Sequence, residues 1–105
     1  MGQLRWTEKA SKNLQAIFDY ISKDSRVYAA RYVKALIHAT KKLENMPRCG
    51  RIVPELEDHG FREVIYGNYR IVYRIIGGDD DIEILAVIHG ARDMKRAFRE
   101  EWELL

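Results

Sequence analysis

Two runs rich in isoleucine, valine and tyrosine, Arg62-Glu-Val-Ile-Tyr66 and Tyr69-Arg-Ile-Val-Tyr-Arg-Ile75, flank the dipeptide Gly67-Asn68. Gly-Asn between two such runs signals a two-residue turn, the tightest link between antiparallel strands. The turn fixes the register: Tyr66 pairs with Tyr69, Ile65 with Arg70, Val64 with Ile71, Glu63 with Val72, and Arg62 with Tyr73. Because side chains alternate across a strand, Val64, Tyr66, Tyr69, Ile71, Tyr73 and Ile75 share one face, which suits a core. The other face mixes Phe61, Ile65, Val72 and Ile76 with Glu63, Arg70 and Arg74, so it reads as a working surface that another segment partly covers. A second turn, Gly77-Gly-Asp-Asp80, leads to a third run ending Ile84-Leu-Ala-Val-Ile-His-Gly-Ala-Arg-Asp93. An antiparallel meander is expected.

Upstream, Gln3-Leu-Arg-Trp6 reads as a short strand anchored by Trp6, and Thr7 is placed to cap a helix by accepting from its first-turn amides. Ala10, Leu14, Ile17, Phe18 and Ile21 then recur at helical spacing, with Lys9, Lys12, Asn13 and Lys23 on the other side. Lys23-Asp-Ser25 breaks the pattern. Ser25 can cap a second helix whose Ala29, Val33, Leu36, Ile37, Thr40 and Leu43 share a face, and Pro47 ends it. So short a connection makes the helices an antiparallel hairpin with one shared apolar side, which needs a sheet to cover it. The segment from Pro47 through Arg51 to Leu56 is a loop by its proline and glycine content. Near the end, Met94, Phe98 and Trp102 repeat at a spacing of four, a stripe suited to covering the charged face of the sheet.

One domain is expected, since 105 residues bury a core but leave no room for a second folding unit. The net charge of +2 falls well short of the field of a protein that binds mainly through phosphates, although a local basic site stays open. A single cysteine, Cys49, rules out an internal disulfide, and it has no base beside it in sequence to activate the thiol. No signal-type apolar stretch follows Met1 and no run approaches the roughly 18 apolar residues of a membrane span, so a cytoplasmic protein is expected. His38 lacks a second ligand at metal spacing and reads as a surface or boundary residue; Lys41 and Lys42 read as a solvated face. Arg74 reads as a cross-strand ion-pair partner. Arg70, central in the sheet, and Arg92, after the last strand, have guanidinium groups that could take a phosphate or carboxylate in bidentate fashion.

The order strand, helix, helix, meander and short C-terminal helix resembles the RelE/ParE toxin superfamily over almost the whole chain. The resemblance rests on Trp6-Thr7 with Ala10 and Leu14, on Pro47 then Gly50-Arg51, on Tyr69-Arg-Ile-Val-Tyr73, and on Val87-Ile-His-Gly-Ala-Arg-Asp93. It implies an α+β fold and the toxin half of a type II toxin-antitoxin module of the plasmid-stabilisation type. A cognate antitoxin neutralises such a toxin by adding a strand or helix to an apolar groove, the C-terminal stripe being one dock, in a hetero-oligomer. RelE-like members cut mRNA on the ribosome; ParE-like members poison DNA gyrase.

RNA cleavage of this kind needs a base for the 2′-hydroxyl, cations for the crowded phosphate and an acid for the leaving oxygen. The resemblance carries two arginines over onto Arg70 and Arg92. The lysine pair of the nuclease branch falls on Phe61 and Glu63, and its C-terminal tyrosine on Phe98. His89 either supplies acid-base chemistry, for which its unperturbed range suits it, or hydrogen-bonds the turn that Gly90 makes. The ParE-like branch is therefore expected: growth arrest through gyrase, no cofactor and no metal. Its target-binding candidates are Arg92, Lys95, Arg96, Phe98, Arg99 and Trp102, with the loop from Pro47 to Leu56. The alternatives are an endoribonuclease acting on ribosome-bound mRNA through His89, Arg70, Arg92 and Arg62, and an inactive member that only binds antitoxin.

Overall fold

The computed structural model describes residues 2–102, with side chains described for 2–100. The chain runs β1 (Leu4–Trp6), α1 (Glu8–Ser22), α2 (Arg26–Ala39), a 3-10 turn (Lys41–Glu44), β2 (Arg51–Ile52), a 3-10 strap (Pro54–His59), β3 (Arg62–Tyr66), β4 (Tyr69–Ile76), β5 (Asp81–His89) and α3 (Met94–Ala97), closed by a π-type turn (Phe98–Trp102). This is the expected α+β order. No helix among the described residues is long and apolar enough to cross a membrane.

The caps are those read from sequence. Thr7 accepts from the Ala10 amide and Ser25 from the Tyr28 amide, each satisfying a donor that the first helical turn leaves without a partner. Pairing of β3 with β4 has the register set by the two-residue turn, Tyr66 opposite Tyr69 through Arg62 opposite Tyr73. Gly67 takes a φ of 57° there, a value glycine adopts without steric cost.

The sheet has five strands in the order β1-β5-β4-β3-β2. β1 lies parallel to β5, and the other pairs are antiparallel. The strand β2 falls inside the segment read as loop. Its two residues, opposite Glu63 and Arg62, are too few to show a period.

In β5 the pairing passes from Ala86 opposite Val72 to Ile84 opposite Tyr73, leaving Leu85 as a bulge. The extra residue shifts the alternation. Ile82, Ile84 and Val87 face one core, and Leu85, Ala86 and Ile88 face the other. Helix α1 docks at this irregularity: Thr7 Oγ1 donates to the Ile84 carbonyl at 2.9 Å, and Asn13 Oδ1 accepts from the Val87 amide at 3.0 Å.

Two cores result, one on each side of the sheet. The first joins Ala10, Ile17, Leu36 and Leu43 of the helical layer to Val64, Ile71 and Tyr73. The second joins Val53, Leu56, Phe61 and Val72 to Met94, Ala97 and Phe98, so the C-terminal segment covers the charged face as its spacing predicts. Ile37 departs from expectation. It is 38% exposed, because one residue beyond Leu36 is a turn of about 100° away from the buried stripe.

The crossing from helices to sheet is pinned from beneath. Tyr73, fully buried, donates its hydroxyl to the Pro47 carbonyl at 2.7 Å and accepts from the Gly50 amide at 3.0 Å. Arg62 Nη1 donates to the Gly50 carbonyl at 2.8 Å and to that of Arg48 at 3.2 Å. A Cβ at position 50 would lie 2.6 Å from both the Glu63 carbonyl and the Tyr73 hydroxyl, so this close approach requires glycine.

Candidate functional site

The sheet's second face carries a chain of four charges. Arg70 on β4 and Glu63 on β3 are diagonal neighbours in the hairpin register, within reach of each other's long side chains. Arg70 Nε donates to Glu63 Oε1 at 2.6 Å. Its Nη1 and Nη2 grip Glu55 of the strap, at 2.9 Å to Oε2 and 2.7 Å to Oε1. Arg51 of β2 completes the chain, Nε to Glu63 Oε2 at 2.6 Å. The Glu63 side chain has no exposed surface and that of Arg70 is 9% exposed, against 37% for Glu55 and 59% for Arg51. The two inner charges are thus held in a dry setting where only pairing makes burial tolerable.

The electrostatics follow from that pairing. Hydrogen bonds from Arg70, outweighing partial burial, hold the Glu55 carboxyl at about 2. Hydrogen bonding to Glu55 is the foremost cause raising the Arg70 guanidinium above its ordinary value, with burial opposing it and Glu63 adding to it. Two cations and two anions cancel, so Arg70 offers a bound substrate little net charge.

Arg70 also lines an open hollow of about 330 Å³ with Arg51, Ile65, Asn68, Tyr69 and His89. The structure therefore brings together two of the nuclease candidates, Arg70 and His89. His89 stands exposed at the end of β5, opposite Tyr69 and with the two rings edge to face at 5.4 Å. Its Nδ1 accepts from the Ala91 amide at 3.1 Å, the turn-holding bond weighed from sequence. A ring nitrogen that accepts carries no proton, so the neutral ring has its hydrogen on Nε2. Burial raises the Tyr69 phenol above its ordinary range.

The remaining candidates lie elsewhere. Arg92 is exposed and does not line the hollow. Arg62 clips the loop carbonyls already described. Phe98 is 8% exposed, with its ring 5.6 Å from that of Phe61 and 4.7 Å from His59. Its ring belongs to the second core, because the apolar side of the sheet needs a cover. Met94 is buried in the same core. Lys95, Arg96 and Arg99 are exposed, Arg96 pairing with Glu100 at 3.0 Å. Lys95 borders a hollow whose other walls include Glu55, Glu57 and Asp58, an acidic setting for a lone cation. The side chain of Trp102 lies outside the described residues.

Arg74 is the ion-pair partner it was read to be. It lies opposite Glu83, with Nε 2.8 Å from Oε1, and Arg5 holds the other oxygen of the same carboxylate. Burial pushes the Glu83 carboxyl up, but hydrogen bonds from Arg74 and Arg5 prevail and hold it below the usual range.

The family model described as the ParE toxin of type II toxin-antitoxin system, parDE, matches residues 4–94. The chain belongs to the ParE toxin family. A curated relative of this toxin, "Putative toxin Y4kP" of Sinorhizobium fredii, is 36% identical over 89 residues, covering 83% of this chain and 86% of the relative. Among solved structures, the chromosomal ParDE toxin-antitoxin system of P. aeruginosa aligns with a TM-score of 0.70 and 27% identity, over 85% of this chain and 96% of that one. The RelBE2 toxin-antitoxin complex of Mycobacterium tuberculosis aligns with a TM-score of 0.62 at 24% identity, over 84% of this toxin and 96% of that chain, a likeness of fold alone. In this ParE toxin the charged cluster includes Glu55 and Arg51, which the sequence singled out only as part of the loop from Pro47 to Leu56. Their signal was faint. Charges on an otherwise apolar strand face announce that partners exist, but not which loop residues supply them.

Proposed function

We propose that this toxin arrests growth by binding DNA gyrase and stabilising its cleaved DNA complex, and that a cognate antitoxin neutralises it. The observation that carries this reading is the capture of Arg70 between Glu63 and Glu55, which leaves the nuclease-like position without an available cation. Phe61 and Phe98 add two buried rings where RNA cleavage calls for a cation and a proton donor. Gyrase recognition then falls to the exposed Arg92, Lys95, Arg96 and Arg99 and to the outer side of the loop at Arg48, Arg51 and Ile52. The test is purified toxin titrated into gyrase supercoiling and DNA cleavage reactions. Accumulated cleavage complex is expected; supercoiling and cleavage left untouched at high excess of toxin would refute the reading.

One observation favours the second reading, mRNA cleavage on the ribosome: His89, Arg70 and Arg51 line one hollow. It requires His89→Ala to abolish toxicity in a protein that stays folded. On the gyrase reading that substitution leaves toxicity in place.

For the antitoxin, the helical layer supplies the surface. Tyr20, Val27, Tyr28 and Ile37 are exposed, and an apolar hollow of about 430 Å³ lies between α2 and Tyr66, edged by Arg31, Lys34 and His38. Helix α2 contains no acidic residue, so the segment that fits is an amphipathic one with acidic flanks.

A further inference from the structure

The Glu55 carboxylate occupies Arg70 in the way an oxyanion ligand would. Both Nη groups meet both carboxylate oxygens, at 2.9 and 2.7 Å, the parallel fork by which arginine recognises carboxylate or phosphate. The carboxylate arrives on a strap rather than on the sheet. The strap is held at its ends, by the Val53 amide donating to the Phe61 carbonyl at 2.9 Å and by Gly60 at a φ of 72°. Leu56, buried beneath, breaks the 3-10 geometry at φ −129° and ψ 31° immediately after Glu55.

On its other side Arg70 borders the hollow of about 330 Å³, which opens to solvent and holds Arg51 and His89. Arg51 uses its Nε on Glu63, with a side chain 59% exposed. We propose that Glu55 is a tethered stand-in for a phosphate-type oxyanion, and that the strap is an autoinhibitory contact closing a phosphate site formed by Arg70 and Arg51. A carboxylate on a short tether meets its arginine at an effective concentration that a dissolved anion does not match. The wild-type site is therefore silent toward free anions. Because the Glu55 side chain is itself 37% exposed, the place it vacates lies open to solvent, and a phosphate oxygen pair enters along the same fork. Glu63 remains to hold Arg70 in position through Nε. The inference concerns the same Arg70 whose capture carries the gyrase reading, and anion titration of the variants tests it without gyrase.

The experiment follows thermal unfolding of wild type, Glu55→Ala and Glu55→Gln during titration with inorganic phosphate, against sodium chloride at matched ionic strength. A ligand that binds only the folded state raises Tm in a saturable way. Such a rise is expected for Glu55→Ala, and a smaller one for Glu55→Gln, whose amide retains the shape of the stand-in. The rise should be absent in wild type and in Glu55→Ala combined with Arg70→Gln. An oligoribonucleotide lacking terminal phosphate, run in parallel, separates a phosphodiester from free phosphate. A response to either that requires Arg70 supports the site. Equal responses in wild type and both variants, a response that survives Arg70→Gln, or no response to either probe overturns it, whatever gyrase assays return.

Discussion

Glu63→Gln keeps the shape of the side chain at the centre of the charged cluster and removes its charge. In the native protein the two oxygens of Glu63 each accept from one guanidinium Nε, both at 2.6 Å, and neither is exposed. An amide has one oxygen, so one of the two arginines must face its NH₂ group, donor against donor. Arg51 is 59% exposed and turns to water at small cost; Arg70, at 9%, does not. Removing one partner of a buried pair costs about 3–5 kcal/mol. Glu55 still neutralises Arg70 from the strap, which places the expected loss near the lower end, at about 3 kcal/mol. For a domain of this length that lowers Tm by roughly 12 °C, at about 4 °C per kcal/mol. Urea titration of the isolated toxin measures it directly. Glu63→Leu combined with Arg70→Met removes both inner charges at once, and stability should return to within about 1 kcal/mol of wild type, because the two exposed partners rehydrate. A single-substitution loss below about 1 kcal/mol, the worth of a surface pair, or a double variant weaker than the single one, would refute the picture of a dry, interdependent cluster.

Two further outcomes are expected. Phe98→Ala empties part of the second core and should cost about 3 kcal/mol, whereas Arg99→Ala on the exposed side should stay within about 0.5 kcal/mol; urea midpoints separate them, and a loss of toxicity with Arg99→Ala at unchanged stability would mark target contact. Acid should weaken the fold. Glu55, held at about 2, and Glu83, held below its usual range, both bind protons more readily when unfolded. Their stabilisation is complete above the ordinary carboxylate range of about 4.3 and is lost as pH falls, for Glu55 through about 2. Urea midpoints measured from pH 6 downward should decline below about 5, and Glu55→Gln should show a shallower decline.

Much of the architecture was legible in the chain because local rules decide it. Gly67-Asn68 sets the hairpin register, Thr7 and Ser25 cap their helices, and period-two alternation assigns Val64, Ile71 and Tyr73 to the helical side. The spacing of Met94 and Phe98 likewise announced a cover for the other face. The bulge at Leu85 and the two-residue strand β2 were not legible, since neither leaves a period in the sequence. The candidate site shows the same division. Sequence alone determined that Arg70 would sit centrally among apolar neighbours with Glu63 on its own face, and that the order of elements is that of the ParE toxins. Only the tertiary structure decided whether that arginine is available. Its bidentate partner, Glu55, lies 15 residues away on an aperiodic strap whose path is set by burial of Val53 and Leu56, and burial in three dimensions is what turns a central cation into a captured one.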